Sequence, residues 1–146
     1  MMSDTRNDDS QLFPRNRQPT VRVVAMPADT NAAGHIFGGW IMAQMDIAGG
    51  VVAIEYANSR TVTVAVTSME FHKPVYVGDL VSCFAGIEKV GKTSLTVKVE
   101  VFAQRRLTEY VQYIKVTEAV IVYVAVNEDG TPRSLPRRDP EFSSYL

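Results

Sequence analysis

The stretch "NAAGHIFGGWIMAQMDIAGG", residues Asn31 to Gly50, carries a single acid, Asp46, in a segment otherwise built from apolar and small residues. From Gly39 to about Ala57 the chain holds helix formers and no proline, and "ANS" supplies an exit, which predicts one long helix. At ~100° per residue, Gly39, Met42, Ala43, Gly49, Gly50, Ala53 and Ala57 fall near Asp46, so the acid lies on a small-residue stripe. The other faces carry Trp40, Ile41, Met45, Ile47, Val51, Val52 and Ile54, with only Gln44 and Glu55 polar on the far side. A helix apolar nearly all round is expected to be buried. Gly49 and Gly50 each cost ~1 kcal/mol relative to alanine in a helix interior, so something must come close to them: a neighbouring backbone or a slender ligand along the stripe.

Outward from the helix, the pattern changes to strands. Before it, "TVRVVAM" from Thr20 to Met26 has strand composition and stops at Pro27. After it come four β-type runs, "TVTVAVTSMEFHKPV", "DLVSCFAGIEKV", "TSLTVKVEVFAQRR" and "YVQYIKVTEAVIVYVAV", which read as an antiparallel meander. In the third, Leu95, Val97, Val99 and Val101 alternate with Thr96, Lys98, Glu100 and Phe102, giving one buried and one partly wet face. One helix among about five strands predicts an α+β fold, a curved antiparallel sheet wrapping a central helix. Residues 1–18 read as a disordered tail, 19–136 as one domain and 137–146 as a second tail.

Composition narrows the function. The chain of 146 residues is 46% hydrophobic and 21% charged with a formal net charge of -1, which speaks against a nucleic-acid partner. The longest apolar run, Ile47 to Ile54, is far short of the ~20 residues that cross a membrane, and the acidic first residues lack the order of a secretion signal. The one cysteine, Cys83, has no partner for a disulfide, which fits a reducing cytoplasmic setting; as a buried small hydrophobe it is no nucleophile.

A carboxylate among apolar residues either finds hydrogen-bond partners or takes up a proton, and the function-free reading is that Asp46 bridges something in the core. Against that stands "GHIFGG": Gly38 and Gly39 open the helix, where unpaired amides and the positive end of the dipole suit an oxyanion or a polarised carbonyl. His35 just before them is a candidate polar partner. His72 is assigned no role.

"DTNAAGHIFGGWIMAQMD", "TVAVTSMEFHKPVYVGDLV" and "VGKTSLTVKVEVF" together resemble the hotdog-fold acyl-CoA thioesterases, and within them the YciA-like branch, over roughly Val21 to Pro136. The resemblance implies a hotdog fold, a homodimer at minimum with further pairing to a homohexamer, and hydrolysis of acyl-CoA to free CoA and a carboxylic acid without metal or cofactor. It implies Asp46 as the base that activates water and the Gly39 amide as the group that polarises the thioester carbonyl. His35 stands where relatives commonly carry Asn or Asp. The substrate-binding set expected around them is Asn31, Gly38, Met42, Ser68, Lys92, Thr93 and Arg60. Arg133, Arg137 and Arg138 are further candidates for the CoA phosphates, and these basic residues do not converge in the sequence.

The chemistry needs the same parts independently: a positioned water, a base and donors for the oxyanion, with a thiolate leaving group that needs little acid assistance. Two alternatives stay open on the residues alone. One is a hotdog dehydratase or hydratase acting on a 3-hydroxyacyl or enoyl thioester through His35 and Asp46; the other is a non-catalytic acyl-CoA sensor.

Overall fold

A computed structural model describes residues 8–137; Arg138 and the rest of the C-terminal tail, and the first seven residues, lie outside the described part. Its elements are β1 (Val21–Val24), a 3-10 turn (Pro27–Asp29), α1 (Gly38–Ala57), β2 (Thr61–Phe71), β3 (Leu80–Val90), β4 (Ser94–Arg106) and β5 (Val111–Ala125). The helix opens one residue earlier than expected, behind an extended Phe37. It stops at Asn58, whose φ of 50° puts it in the left-handed region and whose amide donates back to the Ile54 carbonyl. Asparagine tolerates that conformation, and the residue after it cannot extend the helix.

All strand pairs are antiparallel, in the order β1-β3-β4-β5-β2. The expected meander therefore holds for β3, β4 and β5 alone. β2 does not pair with its sequence neighbour β3 but lies beyond β5, in register from Thr61 opposite Ala125 to Phe71 opposite Thr117. The connection that follows β2, "HKPVYVG", carries the chain across the sheet, and Pro74 removes the amide with which a strand would have continued to pair. α1 lies across the sheet and touches all five strands. Leu95, Val97, Val99 and Val101 of β4 are fully buried and belong to one cluster with Ile41, Met45, Ala48 and Val52 of α1. Each of these side chains larger than alanine contributes about 1.5–3 kcal/mol on leaving water.

Two expectations are corrected here. The helix is buried on the sheet side only: Met42, Ile47, Val51 and Ile54 are exposed, Ile47 by 54%. Val62, Val64 and Val66 of the edge strand β2 are exposed as well. An apolar circumference records everything that covers a helix in its working assembly, and one chain supplies only part of it.

The second correction concerns the N-terminal segment. From Asp8 onward it lies on the outer face of the sheet instead of forming a tail through residue 18. The Asp9 amide donates to the Tyr113 carbonyl at 2.7 Å, and the Asp8 and Asp9 carboxylates accept from the amides of Tyr113 and Lys115 at 3.2 and 2.7 Å. Phe13 packs edge-on against Phe84 and Phe102, with both centroids at 5.4 Å. This covers Phe102 completely, although alternation places it on the wet face.

Candidate active site

Asp46 sits two turns into α1, and β2 and β5 meet beneath it. Thr63 and Tyr123, cross-strand partners, both aim hydroxyls at it: Thr63 Oγ1 donates to Asp46 Oδ1 at 2.7 Å and Tyr123 Oη reaches the same oxygen at 3.0 Å. Tyr123 Oη is also 3.0 Å from the Asp46 main-chain carbonyl. Burial above all, then the nearby Asp46 charge and the hydrogen bond to it, pushes the Tyr123 phenol well above its ordinary value, so it stays a donor. Within one chain the Asp46 residue is exposed rather than enclosed, because the helix face beside it is uncovered. Both side-chain hydrogen bonds fall on Oδ1, and a carboxylate offers about four lone-pair sites, so Oδ2 retains capacity for a water.

The carboxylate borders an open cleft of about 250 Å³. Gly39, Met42, Ala43 and Met45 form its helix wall, and Thr63, Val66, Met69, Ala119 and Ile121 its sheet wall. Gly39 also borders a second cleft, about 310 Å³, with Ala28, Asp29, Thr30, Phe37 and Trp40. The helix start thus stands between two clefts. Phe37 caps it with no side-chain hydrogen bond, and the first intrahelical bonds run from the Trp40 and Ile41 amides to the Phe37 carbonyl at 3.0 and 3.4 Å. The amides of Gly38 and Gly39 precede these and have no acceptor within the helix.

The stripe glycines divide. A Cβ at Gly49 would stand 2.2 Å from Tyr123 Oη, whereas one at Gly50 would have its nearest such neighbour, Tyr123 Cε1, at 3.9 Å. What comes close to Gly49 is therefore a tyrosine, neither backbone nor ligand. Sequence reading passed over both Thr63 and Tyr123. The available signal was weak: a polar tip at the centre of an otherwise apolar run in "AVIVYVAV".

The loop before the helix is closed by Asn31, whose Oδ1 accepts from the Ala33 and His35 amides at 3.0 and 3.1 Å. His35 is exposed and its ring stands edge-on to Tyr76, centroids 5.1 Å apart. Tyr76 in turn stacks beneath Arg105, whose guanidinium carbon is 4.3 Å from the ring centroid. Arg105 pairs with the buried Asp79. His35 thus rests on a fixed platform at the helix entrance.

The remaining expected residues separate into two groups. Ser68 is exposed on β2 and does not line the Asp46 cleft, unlike its neighbours Val66 and Met69. Arg60, Lys92 and Thr93 gather at the far end of α1. The Arg60 carbonyl accepts from Val126 at 2.9 Å, that of Thr93 from Ala125 at 2.9 Å and that of Lys92 from Leu135 at 2.8 Å, while the Arg133 amide donates to Ala125 at 2.9 Å. Main-chain bonds thus set residues distant in sequence at neighbouring positions around the end of β5, and the Arg60 guanidinium donates to the Glu128 carbonyl at 3.4 Å. Arg60 lies three strand residues from Thr63, roughly 10 Å at ~3.3 Å per residue.

Comparison with known proteins shows the family and the fold. Residues 33–110 match the thioesterase superfamily. The acyl-CoA thioester hydrolase YciA of Salmonella typhimurium is 52% identical over 117 residues, 80% of this chain and 88% of that one. Among solved structures, a hexameric hotdog fold thioesterase of Campylobacter jejuni superposes with a TM-score of 0.81 at 42% identity, covering 84% of this chain and 93% of the other. A hexameric broad specificity acyl-coenzyme A thioesterase does so with a TM-score of 0.81 at 43% identity, covering 92% and 93%. The chain belongs to the thioesterase superfamily, to its YciA-like acyl-CoA thioester hydrolases with the hotdog fold.

Proposed function

We propose that this protein hydrolyses acyl-CoA thioesters to free CoA and a carboxylic acid, with Asp46 as general base and the helix start at Gly39 as oxyanion site. The observation that carries the reading is one cleft bordered by both: a carboxylate held by Thr63 at 2.7 Å and helix amides without intrahelical acceptors. In the reaction a water gives a proton to Asp46 and attacks the thioester carbonyl carbon. The developing oxyanion is met by the helix-start amides and the positive end of the dipole. Collapse of the tetrahedral intermediate breaks the C–S bond and releases the thiolate of CoA, which needs little acid assistance.

The apolar walls Met42, Met45, Val66 and Ile121 suit an acyl chain, and Asn31 and Gly38 shape the entrance beside His35. The Arg60, Lys92 and Thr93 rim suits the CoA phosphates, with Arg133 beside it. Ser68 is retained as a substrate contact only across an assembly, since it lies outside the cleft of its own chain.

A second copy completes the site. Met42, Ile47, Val51 and Ile54 of α1 and Val62, Val64 and Val66 of the edge strand β2 are all exposed within one chain, and unpaired strand edges invite pairing. A homodimer follows, and the hexameric state stated for the Campylobacter jejuni relative is the expected full assembly. Among the described residues no helix is long and apolar enough to cross a membrane. Buried, free Cys83 fits a place in the cytoplasm.

The test is a panel of short, medium and branched acyl-CoAs with a 2-enoyl-CoA, followed by free thiol and by enoyl absorbance. Thiol release from the saturated substrates is expected. Loss of enoyl absorbance without thiol release would favour the hydratase, and binding without turnover would favour the sensor.

A further inference from the structure

The helix of this protein has given up a side chain at Gly49 to make room for Tyr123. Tyr123 is 2% exposed, near the C-terminal end of β5, and its phenol passes where a Cβ at position 49 would be, 2.2 Å from Oη and 2.9 Å from Cζ. Any other residue there would push the ring out. The phenol ends on Asp46 twice, at the main-chain carbonyl and at Oδ1, 3.0 Å from each. A hydroxyl has one proton, so it is shared between the two oxygens, tying the carboxylate to its own backbone.

A buried tyrosine that merely satisfied its hydroxyl would need one acceptor. This one spans the main chain and side chain of a single acid and requires a glycine one turn on. We propose that Tyr123, admitted by Gly49, is a positioning residue for hydrolysis: it fixes the Asp46 side chain so that Oδ2 presents to water. The inference rests on the reading of Asp46 as general base.

The cleft makes the test clean. Gly39, Met42, Ala43 and Met45 on α1, Thr63, Val66 and Met69 on β2 and Ala119 and Ile121 on β5 do not titrate. Asp46 and Tyr123 are the titratable groups facing each other there among the described residues. A carboxylate that loses a donor holds its proton more tightly.

Tyr123→Phe keeps the ring and removes the donor. The expected result is a kcat lowered about tenfold or more, as for loss of a hydrogen bond to a charged group, with KM within threefold. The acid limb of the kcat–pH profile moves to higher pH. Gly49→Ala, which keeps the phenol but displaces it, should give the same direction of change and carries the test if Tyr123→Phe does not fold. A kcat within twofold of wild type, or a lowered kcat with an unmoved acid limb, overturns the proposal and leaves Tyr123 a packing residue. Wild type run in parallel separates the two readings, since absence of thiol release there defeats the hydrolase assignment itself. In that event a crystal structure of Tyr123→Phe still decides: the Asp46 carboxylate leaves the position it holds against Thr63, and an unmoved carboxylate overturns the proposal.

Discussion

Arg105 holds Asp79 through two parallel hydrogen bonds, Nε to Oδ1 at 2.9 Å and Nη2 to Oδ2 at 2.7 Å. The Asp79 residue is 1% exposed and its Oδ2 also accepts from the Tyr76 amide at 2.9 Å. The turn before it is made by Gly78, whose φ of 90° lies in the region that favours glycine. Above the pair lie Tyr76 and then His35, so the loop leading into α1 rests on it. Removing one partner leaves a buried charge without its complement, which costs about 3–5 kcal/mol. Arg105→Ala should lower unfolding stability by about that amount in urea; a change under about 1 kcal/mol would show that the platform is not held by this pair.

Asp46→Asn should lose at least ~100-fold in turnover, since general-base catalysis contributes ~10² to 10⁴-fold. The fold should persist, because in one chain the carboxylate is exposed and its loss strands no buried charge. Thiol release by the purified variant, with circular dichroism as a control on folding, decides the matter. Near-wild-type turnover would make Asp46 structural.

The alternative to a cleft working within one chain, a site shared across the dimer, is tested by mixing. Asp46→Asn and Gly39→Pro chains are each expected to be inactive, the proline because it removes a backbone donor of a kind worth ~3 to 4 kcal/mol. If the carbonyl is held at the helix start of one protomer and water is activated by its partner, random exchange makes about half of the dimers mixed, each with one intact site. Activity should then recover toward roughly a quarter of wild-type sites. A mixture proven by mass to have exchanged, yet as inactive as its parents, would place each site within a single chain.

The N-terminal arm gives a prediction free of catalysis. Phe13→Ala removes a ring that packs on Phe84, Phe102 and, at 5.0 Å, Tyr113. Phe13 is partly exposed, so the expected loss is about 1–2 kcal/mol, with kcat unchanged. An unfolding midpoint equal to wild type would mean that the arm does not stay docked in solution.

Burial pushes the Cys83 thiol up to about 12. The thiolate is the reactive form, and a raised pKa keeps it protonated at every pH below that value, so at pH 8 the native protein should be inert to a thiol reagent. One thiol per chain should react after denaturation. Rapid labelling of the native protein would contradict the burial, and it would also interfere with the thiol-release assay.

The sequence by itself determined what periodicity carries. The alternation of Leu95, Val97, Val99 and Val101 announced a strand with one buried face, and a proline-free run bearing one acid announced α1. Each signal is carried by residues close to one another in the chain, and local stereochemistry suffices to produce it. Tertiary structure decided what no local pattern encodes. β2 pairs with β5 rather than with the strand that follows it, because the strand that offers a free edge is chosen by the whole sheet. That choice sets Thr63 opposite Tyr123 and brings a phenol 77 residues distant to Asp46, which turns the cost of Gly49 into a fit. Tertiary packing likewise lays Phe13 over Phe102 and ties the main chain at Arg60, Lys92 and Thr93 to the end of β5 and the segment after it. The circumference of α1 was legible in the sequence, but the chain itself leaves Ile47 and Ile54 uncovered, since periodicity records which faces are apolar and only the tertiary packing decides which of them the sheet reaches.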